Sequence, residues 1–123
     1  MHTIYRIEYT DGRGIWRAKI DEEDYVWETL SFKKDLENKH WDIPNPYEDR
    51  NILRPPLRTE YFAFESIEQM NFWIEQSWYK ELIEVGFKIL AININEIIIG
   101  EYQVLFKKTD IISITDISNS FLI

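Results

Sequence analysis

The chain contains no cysteine. That excludes disulfides, thiolate nucleophiles and cysteine-type zinc sites. Histidine is nearly as scarce, with only His2 and His40. Glu37 and His40 share the i, i+3 spacing that sets a carboxylate and an imidazole on one helix face, but a di-iron bundle needs two such pairs and further glutamates. His40 reads instead as a cation at a helix C-terminus, where the dipole favours it. Asp42, Glu48 and Asp49 lack the alternating ligands and the turning glycine of a calcium loop. No metal is expected, and no cofactor.

Glycine is also sparse. Gly12, Gly14, Gly86 and Gly100 stand apart as turn and cap residues, so no phosphate-cradling loop can be assembled from them. None of the serines lies in a nucleophile elbow. Paired carboxylates of glycosidase type are missing, Glu101 near Glu96 apart. The longest purely aliphatic run, Ile89-Leu90-Ala91-Ile92, falls far short of the roughly 20 residues a membrane helix needs. Met1 to Arg6 enters a strand pattern without an apolar leader, so a cytoplasmic location is expected, with no membrane partner. Positive charge is in deficit as well, 14 Lys and Arg against 22 Asp and Glu, a net charge of -8. Direct nucleic-acid binding, which needs clustered cations, is not expected. An acidic surface serves solubility, or meets a basic partner, including proteins that normally hold DNA or RNA.

What the chain does have is apolar and aromatic content, 45% and 15% of 123 residues. That is enough for one core without staples, and predicts a single α+β domain over residues 1–123. A mainly antiparallel sheet, whole or split, is packed with two or three helices. Tyr5, Ile7 and Tyr9 alternate, as do Trp16, Ala18 and Ile20, around Asp11-Gly12, which predicts a first hairpin. Acidic residues from Asp21 to Asp24 and basic ones at Lys33, Lys34, Lys39 and His40 predict a helix from about Glu22 to Asn38, although Phe32 falls off its apolar stripe. Ser66-x-x-Gln69 is a capping box that opens a helix ended by Gly86, with a break near Gln76 where Ser77 can cap a second piece. Strands are expected after Tyr61, from Phe87 (buried on both faces past Lys88), and over 96–99, 101–106 and 111–117.

All four prolines lie between Trp41 and Arg58, which predicts a long loop. Arg50, Arg54 and Arg58 recur there at four-residue spacing beside Trp41 and Tyr47. They are the candidate ligand-binding residues: the guanidinium groups would meet phosphate and the aromatics would stack on a base, if a nucleotide-like molecule is bound. The same arginines read more simply as solvated charges balancing an acidic surface. Phe72, Trp78 and Tyr79 on the capped helix exceed its core stripe and are the candidate interface, for self-association as a homo-oligomer or for a partner protein.

Two resemblances follow from these motifs. Tyr5-Arg6-Ile7-Glu8-Tyr9, the Pro-rich middle, F-x-S-x-E-Q-x-x-x-W from Phe64 to Trp73, the helix ending in Gly86-Phe87, and G-E-x-Q-V-x-F from Gly100 to Phe106 together resemble small accessory proteins of bacteriophages and prophages. That resemblance implies a role in phage-host interaction, such as countering host defence. Tyr5-Arg6, Phe62 to Ser66 and Glu101-Tyr102-Gln103 also occur in the order of the ADP-ribosyltransferase fold. This second resemblance implies NAD chemistry through Arg6, Ser66 and Glu101 or Gln103, with Gln103 standing where that pattern has Glu. The purely structural reading has Arg6 facing solvent on a hairpin and Ser66 capping a helix. The sequence therefore favours an accessory protein that binds a host protein or a nucleotide-like molecule, over a transferase.

Overall fold

The structure, a computed structural model, describes residues 1–42 and 56–122. Its strands are β1 (His2–Glu8), β2 (Glu60–Ala63), β3 (Lys88–Ile94), β4 (Ile98–Ile99), β5 (Val104–Lys107) and β6 (Ile111–Asp116). The α-helices are α1 (Lys33–Asp42), α2 (Ile67–Trp73) and α3 (Tyr79–Glu84), which makes an α+β fold. The sheet is split, with β1-β3-β6 in one half and β2-β5-β4 in the other, all antiparallel. One isolated bridge joins the halves: the N–H of Tyr5 donates to the carbonyl of Phe64 at 2.8 Å, and that of Phe64 donates back at 2.7 Å.

Side-chain alternation assigns two cores to the two faces of β1 and β3. Ile4 pairs with Ile92 and Arg6 with Leu90, and this face meets Ala63, Val104 and Phe106 of the second sheet. The opposite face, with Ile7 and Ile89, is covered by Met70, Trp73, Ile74, Trp78, Tyr79 and Leu82 from the helical region. Burial of β3 on both faces is thus found as expected.

The Ser66 cap forms, with the return bond from Gln69 made one residue before the N-cap. Ser66 Oγ accepts from the Gln69 N–H at 3.0 Å, and Gln69 Oε1 accepts from the Glu65 N–H at 2.8 Å. The helix breaks after Trp73, resumes through a 3₁₀ turn at Gln76–Trp78, and stops before Gly86, whose φ of 116° is costly for residues bearing a Cβ.

Two expected elements are corrected. The Asp-Gly turn exists, with Gly12 at φ 82° and its N–H bonded to Tyr9, but Gly14 to Ile20 is not a strand. The N–H groups of Arg17 and Ala18 both donate to the Gly14 carbonyl, and burial of Ile15 and Ala18, three apart, replaces the expected alternation and leaves Ile20 exposed. The helix from Glu22 is likewise absent. Asp21 Oδ1 accepts the N–H groups of Glu23 and Asp24 at 2.9 Å each, holding the acidic stretch in a turn, and the α-helix begins only at Lys33. Phe32 precedes that helix and stacks on Trp78, with ring centroids 4.5 Å apart and planes at 1°.

Candidate functional site

The proposed ligand residues are only partly placed. Trp41 lies in the last turn of α1 and Arg58 sits exposed in the turn before β2, whereas Tyr47, Arg50 and Arg54 lie outside the described residues. Elsewhere a shallow, open hollow is lined by Trp27, Glu28, Lys33, Lys34 and Glu37. Its two ammonium groups are matched by two carboxylates, so the lining has no net charge to draw an anion.

Arg6 does not face solvent. It is buried between the two sheets, 5% exposed, because its face of β1 is the one covered by the second sheet. Nε donates to Glu8 Oε2 at 2.8 Å, Nη1 donates to the Phe62 carbonyl, and Nη2 donates to the Gly12 carbonyl at 3.3 Å. The guanidinium lies 5.4 Å from the Tyr61 ring centroid and 5.7 Å from that of Phe106, which suits a weakly hydrated planar cation. Lys108 Nζ also donates to the Gly12 carbonyl at 3.3 Å, lies 3.8 Å from the Glu8 carboxylate, and sits over Tyr61. The cluster ties β1, the Asp-Gly turn and β2 together with charge-assisted hydrogen bonds.

Ser66 and Glu101 are brought together, through Gln69. While Gln69 closes the helix cap, its Nε2 donates to the Glu101 carbonyl at 3.1 Å. Trp73 Nε1 donates to the next carbonyl, Tyr102, at 2.9 Å. These two bonds hold α2 against the turn before β5, while Gln103 is buried and its carbonyl accepts from the Gly100 N–H. Arg6 and Ser66 therefore both have structural partners.

Of the candidate interface residues, Trp78 and Tyr79 are in the core, 5% and 0% exposed. The break after Trp73 resets the helical phase and turns both inward. Tyr79 donates its hydroxyl to Asn71 Oδ1 at 2.6 Å, and burial pushes its phenol pKa up. Neither offers surface to a partner in the single chain.

Phe72 remains outside. At 51% exposure its ring is largely open to solvent. Its ring stacks on Tyr102 at 5.7 Å, and Lys39 holds it from α1 by donating to the Phe72 carbonyl at 3.1 Å with Nζ 5.7 Å from the ring. Glu68, four residues before and one turn away in α2, is exposed on the same side. The arrangement is an aromatic knob with a carboxylate one helical turn away. Sequence reasoning missed the parts played by Lys39, Tyr102 and Glu68; the Glu-x-x-x-Phe spacing from Glu68 to Phe72 was the available signal.

Among the described residues no group of three or more His, Asp or Glu could hold a metal ion, and no helix is long and apolar enough to cross a membrane. No curated protein and no solved structure shows significant similarity to the chain. The pattern that runs from the YRIEY strand through the capped helix to the late strands is nonetheless that of one phage family: the model described as Bacteriophage T4 Y00F protein matches residues 1–120, and the chain belongs to that family.

Proposed function

We propose that this phage-family protein acts by binding a host protein, without turnover, and that Phe72 is the anchor of the contact. The observation that carries this reading is the exposed Phe72 ring, positioned by Tyr102 and Lys39. An aromatic already stacked and held in place loses little freedom on binding, and such anchors carry much of an interface's energy. Glu68 one turn from the ring and the net charge of -8 call for a basic partner surface with an apolar recess. Interference with host defence is one biological use of such binding. A nucleotide-like ligand finds less support among the described residues, where Arg6 is buried, the exposed Lys108 is engaged by Gly12 and Glu8, and the hollow beside Trp27 is charge-balanced. NAD-dependent transfer finds less still, since Arg6 and Ser66 hold the fold together.

Quantitative capture of host proteins by wild type and by Phe72→Asp tests the reading. A captured protein should lose about 2 kcal/mol or more of affinity for the variant, roughly thirtyfold, and its binding should weaken with salt. Equal capture by both forms would remove Phe72 from the function. Release of nicotinamide from NAD, abolished in Glu101→Ala, would reinstate the transferase reading.

A further inference from the structure

β6 is an outer strand, and among the described residues no strand pairs with its far side. Ile112 to Asp116 are exposed, with Ile112 and Ile114 each at 52%. Proteins ordinarily guard such edges with charges, proline, covering segments or very short strands. The other outer strands here are managed that way. β1 is bridged through Tyr5 to Phe64, the residue that follows the four-residue β2, so these two edges face each other. β1 also carries Arg6 and Glu8, and β4 is only two residues long. β6 has an irregularity opposite Asn93 and Ile94, but Ser113 to Asp116 continue in regular register, and no charge falls between Ile111 and Thr115.

The occupant follows from charge. Two copies of a chain at -8 repel over most of their surfaces, so close approach is least opposed along an exposed stretch without charge. β6 is such a stretch. A two-fold axis brings identical strands together antiparallel, and the same unpaired backbone groups then serve both copies. We infer that two copies of the chain associate edge to edge through β6, forming one continuous sheet with three strands from each copy and covering Ile112 and Ile114 at the seam. A contact confined to one strand pair is smaller than the ~1,600 Å² of a standard stable interface, so the association is reversible and depends on concentration. It leaves Phe72 on a different element, free for the partner proposed above.

Sedimentation velocity over a concentration series tests the inference. Wild type should move from the 15.0 kDa monomer towards twice that mass as concentration rises. Ile114→Lys, which places a guarding charge on the edge, should stay monomeric with an unchanged circular dichroism spectrum, while Phe72→Asp should dimerise like wild type. Hydrogen exchange on the unaltered protein gives a second measure: β6 amides should gain about tenfold protection at high concentration while β5 amides do not change. A wild type that stays monomeric, a dimer that survives Ile114→Lys, or β6 protection independent of concentration would each overturn the inference.

Discussion

Replacing Arg6 by Met separates the structural and catalytic readings of the residue. Met keeps an apolar stem for the Leu90 side of the sheet and removes only the guanidinium, which leaves the Phe62 and Gly12 carbonyls without their Arg6 donor and Glu8 without its closest cation. A hydrogen bond to a charged group contributes about 1.5–3 kcal/mol, and breaking a buried pair costs about 3–5 kcal/mol. Two features place the loss at the lower end. Glu8 keeps 22% of its side-chain exposure and still has Lys108 at 3.8 Å, so it is not left as a buried, unpaired charge. A loss of about 3 kcal/mol is expected, a fall in Tm of roughly 10 °C for a domain of this size. Glu8→Gln should cost about 1 kcal/mol, because the amide oxygen still accepts from Arg6 Nε and the guanidinium keeps its bonds to the Phe62 and Gly12 carbonyls. Urea unfolding followed by tryptophan fluorescence measures both, and the double variant should show coupling of about 1 kcal/mol or more. Arg6→Met within about 0.5 kcal/mol of wild type would refute the assignment of Arg6 as the tie between the sheets. If Arg6 instead oriented a dinucleotide, the variant would lose turnover and keep its stability.

Three further outcomes are expected. Ser66→Ala should lower stability by about 1 kcal/mol in urea unfolding through loss of the cap to Gln69. Phe32→Ala should cost about 3 kcal/mol by emptying the stack on Trp78, with a change in near-ultraviolet circular dichroism. The Asp116 carboxyl is held below its ordinary value of 3.8, first by the Ser118 hydroxyl and then by the Ser118 N–H. Its contribution to stability is therefore complete above about pH 4 and is lost as pH falls through the depressed folded-state value. Asp116→Asn should be less stable than wild type at neutral pH, and the difference in Tm should close towards pH 2.

Elements carried by local signals were legible in the sequence. The Ser66 cap, the stop at Gly86, the break between two helical pieces and the two-faced burial of β3 are decided within a few residues of where they are read. The segment from Gly14 to Phe32 was not, because period-two and helical patterns there are overridden by turns that Gly14 and Asp21 close, and only the last part of the expected helix, from Lys33, is helical. Phe32 was the warning: its misfit to a helix from Glu22 arises because it lies outside the helix and packs on Trp78. Arg6 failed for a different reason. Alternation correctly puts it opposite Ile7, but only the pairing of Tyr5 with Phe64, some sixty positions along the chain, brings a second sheet over that face.

The same distinction bears on the proposed contact. Ser66 fixes where α2 begins, and burial of Met70, Trp73 and Ile74 fixes which side faces the core. Glu68 and Phe72, one turn apart within α2, must then lie together on the side left over. Phe72 is not exposed for want of room inside, since the cap and the core stripe would have to shift together to bury it. Lys39 and Tyr102 hold the ring in that outward position from two other parts of the chain. Exposure of Phe72 is therefore built by local and distant interactions acting in the same direction, which is the physical ground for reading it as a contact residue.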